Sequence, residues 1–600
     1  MTISREETQR KLNIQAAAAA THTPDQTYTV ADRYEEQARR FPNKAFLIYE
    51  DKPVTFGQLN LEANRVANAA AKLGLRQGDV AALMMDNRPE FFFVYVGLAK
   101  LGVTTALINT HAQDKALRHA LSTTASRMVF LGAECLQGFA SAADVTGDLP
   151  CYVIADPLNQ VDIPEAMVDF STLAESSPTI DPPKESRSGL MGRDDLFHVF
   201  TSGTTGLPKA AHMSHMRWMN TGESNAAVLD TGPDDVFYCF LPLYHGAAGM
   251  SLVSAALARG ATIVLRRRFS VSRFWEDVRR HGVTTCQYIG EICRYLMNRP
   301  PQINDADNPL RSIIGAGLRS DIWEAFQQRF GIENIYEGWG ATEANSGIMN
   351  LDNKVGSCGR IPFKERSNAR LVRYDAETDS HPRDANGHYI ECEADEVGEL
   401  IAMILDIPGS GAGRFEGYTD EQATEKKILH DVFADGDAWF RSGDLLKRDE
   451  DDYYYFVDRV GDTFRWKSEN VSASEAADAI SDFDGLESLN IYGVAVPNTE
   501  GRAGMAALVM QSEAEFDPVA FYAHCKDRLP PYAVPLFVRL CQQAELTTTF
   551  KLRKVDLQKQ GYSPELVSDP LYVISDANQR YVPLDEQSLA EQQLPAFISA

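Results

Sequence analysis

The sequence lacks any run of the ~18 consecutive apolar residues that a membrane-spanning helix needs. Its two best candidates are interrupted, residues 91–108 by Lys100 and residues 250–265 by Arg259, so both are expected to be buried core elements. A secretory leader is not expected either. The N-terminus carries five charged residues before residue 12 and no apolar core of about 7–15 residues. Ser4 and Glu7 instead have capping-box spacing and Pro24 follows, which predicts a short helix. No CxxC pair occurs among the nine cysteines, an odd number. That argues against a disulfide framework and against a zinc site, and for a reducing, cytoplasmic compartment. Positive charge is in deficit: 58 Lys+Arg against 84 Asp+Glu leave −26. A surface that acidic repels phosphodiester backbones and argues against nucleic acid as a partner, but a local cationic pocket for a small phosphorylated ligand stays open. Repeats and heptads are absent.

What is present is a globular composition, with 44% apolar and 24% charged residues, too apolar for a disordered chain. At about 100–200 residues per domain, 600 residues suggest roughly three to five domain-sized units. Helical and strand patterns alternate over residues 28–130. Helices are expected at 30–41, 58–73 and 91–101, and strands at 44–48, 79–85 and 103–108. Alternation of this kind predicts an α/β fold with a mainly parallel sheet. Residues 156–193, rich in Pro, Ser and Asp, read as a surface connection, and 378–396 as a loop insertion. The pattern restarts near Asp458-Arg459, with strands at 489–496 and 504–511 and a helix at 519–529. The main boundary is placed there.

The strongest local signal is Phe200-Thr201-Ser202-Gly203-Thr204-Thr205-Gly206-Leu207-Pro208-Lys209, which follows an apolar strand. Glycines let successive N–H groups converge on one point as a nest for phosphate oxygens. The hydroxyls of Thr201, Ser202, Thr204 and Thr205 add donors, and Lys209 adds charge. The spacing from Gly203 to Lys209 is not that of a P-loop. Further along come Tyr336-Glu337-Gly338-Trp339-Gly340-Ala341-Thr342-Glu343, Arg441-Ser442-Gly443-Asp444, Asp458-Arg459-Val460-Gly461 and Thr549-Phe550-Lys551. His212 and His215 stand three apart without an added carboxylate pattern, which speaks against a metal site there.

These five elements, in this order, resemble the adenylate-forming superfamily of acyl-CoA synthetases, luciferases and peptide-synthetase adenylation domains. The resemblance implies an α/β fold: a large N-terminal adenylate-forming domain of several α/β subdomains, at 28–458, after an N-terminal extension at 1–27. A small mobile α+β C-terminal lid at 459–600 carries Lys551 as catalytic lysine. It also implies that Trp339, beside Gly340, stacks on adenine, that Thr342 contacts the α-phosphate and that Glu343 ligates Mg²⁺. Asp444 and Arg459 contact ribose, Gly461 is the swivel and Arg465 faces CoA. Gly315-Ala316-Gly317 lines the adenine pocket, and His245, in Tyr244-His245-Gly246, lies between acyl and nucleotide sites.

Asp462-Thr463-Phe464-Arg465-Trp466-Lys467-Ser468-Glu469-Asn470-Val471-Ser472 resembles a stretch of fatty-acid transport proteins and very-long-chain acyl-CoA synthetases. Residues 418–433, 550–557 and Asn87-Arg88-Pro89-Glu90-Phe91 fit the same group. Ser468 and Thr548 stand where those relatives carry glycine, which bears on the thioester half-reaction rather than on the fold. The resemblance implies ATP-dependent activation of a long or very long fatty acid through acyl-AMP, then transfer to CoA. Two alternatives stay open: a CoA ligase for a sterol or bile-acid carboxylate, and a lipid-uptake carrier without obligatory turnover. Weak peripheral contact with the inner membrane face and a homodimer are both compatible with it.

Overall fold

The computed structural model describes residues 3–142, 149–159, 161–165, 167–201, 207–375, 378–460, 462–466, 469–497, 501–512, 514–544 and 554–595. The apolar run near residue 80 forms the strand Val80–Met84, and the next run forms the helix Pro89–Ala99. Pro89 takes an opening helical position, where a missing N–H leaves no bond unmade. The helix Phe56–Lys72 starts at a capping box between Thr55 and Gln58. Its apolar face, with Leu59, Ala63 and Val66, is buried in the principal core.

Two large sheets build the first part of the chain. One runs in the spatial order Val168–Asp169, Cys151–Ile154, Met128–Gly132, Val80–Met84, Thr104–Leu107, Asp195–Thr201 and Lys209–Ser214. Its pairings are parallel except the last. The other includes Thr285–Ile289, Ser312–Ala316 and Asn334–Trp339 as parallel neighbours. Helices cover these buried strands, the arrangement that parallel pairing requires. An antiparallel sheet follows, in which Gly398–Met403, Ala438–Arg448 and Tyr453–Arg459 are successive neighbours. A last five-stranded sheet begins with Leu486–Ala495 and Arg502–Met510 and has cores of its own. The fold class expected from the alternating pattern is the one observed.

Asp458 and Arg459 end the Tyr453–Arg459 strand. Past them, Asp478 pairs with Arg319 at 2.9 Å and Ser481 donates to Asp321 at 3.2 Å, two contacts with the start of the helix Ser320–Phe330. Residues 156–193 are more than a surface connection. They include the helix Phe170–Glu175, whose Phe170 is buried in the core, and Arg187, buried against Glu35 at 2.9 Å. The predicted N-terminal helix spans Arg5–Ala19, capped by the Ser4 hydroxyl. Lys11 pairs with Asp352 at 2.8 Å, Arg5 with Asp452 at 2.7 Å, and Arg360 donates to the Ile3 carbonyl at 3.0 Å. Among the described residues no helix is long and apolar enough to cross a membrane.

Candidate active site

The Gly/Ser/Thr segment joins two antiparallel strands whose register ends on the pair Thr201–Lys209. The ladder thus brings the hydroxyl and the ammonium at the two ends of the segment to one place. Ser202, Gly203, Thr204, Thr205 and Gly206 lie outside the described residues. Lys209 Nζ lies 5.4 Å from the centre of the Tyr418 ring. Tyr418 is held there by backbone: Thr419 N–H donates to the Ala210 carbonyl at 2.9 Å, and His212 N–H to the Gly417 carbonyl at 3.1 Å.

The Tyr418 hydroxyl donates to Glu343 Oε1 at 2.9 Å. Burial, reinforced by the Glu343 charge, pushes the phenol well above its ordinary range, so it stays a donor. Lys427 stands within electrostatic reach of Glu343, Glu399, Asp444 and Lys209. Its ammonium donates to the Ser442 carbonyl at 3.0 Å. Burial pulls its pKa down, and the three carboxylates oppose that pull.

Asp444 follows a left-handed Gly443, φ +80°, a conformation that favours glycine. The buried Glu399 fixes that turn by accepting from Gly443 N–H at 2.8 Å, and Arg441 lies 3.2 Å from the same carboxylate. Asp444 Oδ2 accepts from the Trp339 indole at 2.9 Å, and Oδ1 lies 3.6 Å from Arg459 Nε. Trp339 ends one parallel strand and Ala316 ends its neighbour. The carboxyl ends of parallel strands are where α/β sheets bind ligands. A Cβ placed on the exposed Gly340 would meet nothing within 4 Å, so there is open space beside the indole.

Thr342 packs against Gly246, where a Cβ would come within 2.7 Å of the Thr342 hydroxyl oxygen. His245 caps the π-helix Gly246–Leu252, with its Nδ1 3.5 Å from Ala247 N. Single π turns recur at functional sites.

The Gly315–Gly317 segment rests on a residue that no motif reading singled out. Glu337 accepts from Gly317 N–H, from Leu318 N–H at 3.2 Å and from the Tyr288 hydroxyl. Burial raises its carboxyl to about 7, against those three donors. The folded state therefore holds a proton that the unfolded chain releases near its ordinary 4.5. Stability should fall as pH rises from about 4.5 to 7, by on the order of 3 kcal/mol, and level off above. Glu337→Gln cannot titrate. Urea unfolding of both proteins at pH 5 and pH 8 should show the variant gaining on the wild type with pH. A constant difference would remove Glu337 as the titrating group.

The structure thus gathers Thr201, Lys209, Glu343, Asp444, Trp339 and Arg459 with Tyr418 and Lys427, and places Thr342 beside the His245–Gly246 turn. Gly461 and Lys551 lie outside the described residues, as do Ser468 and Thr548. Arg465 is described in its backbone, which pairs with Asn470 in the hairpin of Phe464–Trp466 with Glu469–Val471. His212, expected to lack a carboxylate, has Asp195 at 2.7 Å, whereas His215 is buried elsewhere, its Nδ1 3.4 Å from Val30 N.

The sequence profile of the AMP-binding enzyme family matches residues 34–400. The chain belongs to the AMP-binding enzyme family. It is 40% identical over 568 residues to long-chain fatty acid transport protein 2 of Rattus norvegicus, covering 93% of this chain and 89% of that protein. It is 36% identical over 561 residues to the medium/long-chain-fatty-acid–CoA ligase FadD6 of Mycobacterium tuberculosis, covering 93% and 90%. In fold, this AMP-binding enzyme matches the anthranilate CoA ligase AuaEII solved with anthranoyl-AMP, with a TM-score of 0.72 at 21% identity over 88% of this chain and 95% of that one. It is an adenylate-forming enzyme of the acyl-CoA ligase kind.

Proposed function

We propose that the protein is a long- or very-long-chain fatty acyl-CoA synthetase. A fatty carboxylate oxygen bonds to the α-phosphorus of ATP, the α–β phosphoanhydride bond breaks, and pyrophosphate leaves. The CoA thiolate then attacks the acyl carbon, and AMP leaves with the carboxylate oxygen it gained. The observation that carries this reading is two sets of contacts brought together, Lys209 over the Tyr418 ring with Tyr418 bonded to Glu343, and Lys427 on the Ser442 carbonyl beside Asp444, Trp339 and Arg459. The names of the fatty-acid relatives support the substrate class.

Each residue type suits its assigned task. The 201–209 loop binds phosphate oxygens, with Lys209 charge and the Thr201 hydroxyl at its two ends. Asp444 accepts ribose hydroxyls, Arg459 donates to the ribose, and Trp339 offers an aromatic edge or face to the purine. Thr342 donates to the α-phosphate, and His245 contacts the acyl carboxyl group. Glu343 has the hard carboxylate oxygens that suit Mg²⁺, with one of them oriented by Tyr418. When bound, that ion offsets phosphate charge. Lys551 bridges the carboxylate and the α-phosphate, and the lid from residue 459 turns about Gly461 to exchange Lys551 for the Arg465 side at the CoA step. Catalysis here is mainly positioning and charge stabilisation.

Lys427 holds the Ser442 carbonyl of the turn that carries Asp444, within electrostatic reach of Glu343. A hydrogen bond from a charged group is worth about 1.5–3 kcal/mol, so Lys427→Met should reduce kcat/KM for ATP by roughly tenfold to a hundredfold, mostly through KM. Steady-state kinetics measure it, and Lys427→Arg should restore part of the loss. An unchanged KM for ATP would leave Lys427 a packing residue.

The function is tested by AMP release dependent on ATP, CoA and a panel of acids kept below their micelle limits. Each buried methylene contributes ~0.8 kcal/mol, so kcat/KM should climb roughly tenfold per two carbons until the acyl tunnel is full. A maximum at acetate or butyrate, or a preference for sterol carboxylates over every straight chain, would defeat the substrate assignment. Binding of fatty acid without AMP release would favour the carrier instead.

A further inference from the structure

Behind the phosphate-facing hairpin lies a second group of donors with no part in the reaction above. Asp195 opens one strand, and His198 on that strand stands directly opposite His212 on the other. Opposed residues of an antiparallel pair project to the same face. The two imidazoles meet edge to face, with ring centres 5.2 Å apart. His198 Nε2 lies 3.2 Å and His212 Nδ1 2.7 Å from the same oxygen, Asp195 Oδ2. One donor atom from each of the three residues lies within 4.8 Å of the others.

A single hydrogen-bonded Asp–His pair would need only one imidazole. Here two imidazole nitrogens converge on one point occupied by an anionic oxygen. His198 is buried, 6% exposed, and its Nδ1 has no hydrogen-bond partner, so its polar interaction is directed through Nε2 into the cluster. His212 is held from outside as well, since its backbone N–H donates to the Gly417 carbonyl at 3.1 Å. Side chains of Asp195 and His212 are 26% and 28% exposed, which gives an ion a way in and leaves room for water.

We propose that Asp195, His198 and His212 bind a divalent transition-metal ion of the zinc class, with water completing the site. Tetrahedral zinc with ligands at about 2.0–2.2 Å spaces its donors by roughly 3.3–3.6 Å. The present 2.7 and 3.2 Å therefore need to open by less than ~1 Å, within reach of a turn of the Asp195 carboxylate. Two imidazoles and one carboxylate select zinc, cobalt or nickel over magnesium, so this site is chemically distinct from the one at Glu343. It would fasten the two strands together just behind Thr201 and Lys209. The missing cysteine pairs in the sequence speak only against a thiolate site, and this one uses none.

The test is cobalt titration of untagged, chelator-treated full-length protein at pH 7.5, followed by visible absorption. One equivalent of Co²⁺ should give the d–d bands of a four- or five-coordinate ion. One equivalent of Zn²⁺ should bleach them, and excess Mg²⁺ should leave them. The bands should be lost in His198→Gln and in His212→Gln, with circular dichroism confirming that the variants are folded. His212 is on the more exposed side, so His212→Gln supplies the result if His198→Gln does not fold. No bands in the wild type, bands of equal intensity in the folded His212→Gln protein, or a thiolate charge-transfer band in their place would each overturn the proposal.

Discussion

Lys551→Ala is expected to abolish acyl-adenylate formation while largely sparing the transfer of a supplied acyl-AMP to CoA. The first half-reaction brings a carboxylate against a triphosphate, so negative oxygens must approach negative oxygens. An ammonium placed between them stabilises the transition state more than the separated reactants, and such interactions are the ones that raise rate. Loss of one preorganised donor typically costs ~2.7–4 kcal/mol, about 10²–10³ in rate. In the second half-reaction the anhydride is already made, and the thiolate attacks carbon rather than phosphorus. On the proposed mechanism Lys551 serves one step and has no task in the other. Pyrophosphate exchange reports the first step, and CoA-ester formation from synthetic acyl-AMP reports the second. Equal loss of both in a folded protein would count against a lid that presents different residues to each step.

Glu343→Gln should have an effect of the same order on overall turnover, by a different route. The amide keeps an oxygen at the place where the Tyr418 hydroxyl donates, so local packing should survive. What goes is the charge proposed to hold a hard cation. The magnesium concentration giving half-maximal rate should move up at least about tenfold, and the rate at saturating magnesium should fall by about 10²–10³. Titrating initial rate with Mg²⁺ at fixed ATP separates the two effects. An unchanged titration curve would take Glu343 out of the metal site.

Much of this was legible in the sequence because it is written in contiguous strings. The run Val80–Met84 announces a buried strand by composition alone, and Pro89 announces the start of the next helix. The Thr201–Lys209 segment, the Trp339–Glu343 string and the Ser442–Asp444 turn are local in the same way. The groups that join them are not. Tyr418 meets Glu343 across 75 residues; the 418–433 stretch resembles the fatty-acid relatives, but nothing in it says which distant group its tyrosine meets. Lys427 lies in the same 418–433 stretch, and only the fold brings its ammonium to the Ser442 carbonyl and within reach of Glu343 and Asp444. Glu337 is a letter inside a recognised string, yet its work is done on Gly317 and Leu318 of a neighbouring strand's end. Asp195 and His198 likewise gain meaning only from the ladder that sets His212 opposite.

The helix Arg5–Ala19 has a consequence for how the molecule is made. Its Lys11 bonds to Asp352, 341 positions further on, and Arg5 reaches the Glu450 carbonyl, 445 positions on. At about 5–20 residues per second on the ribosome, the first ordered segment of this sequence waits roughly 20–70 s for the earlier of these partners to be synthesised. It cannot make these bonds until then. They are thus late ones, a clasp that closes over strands already in place.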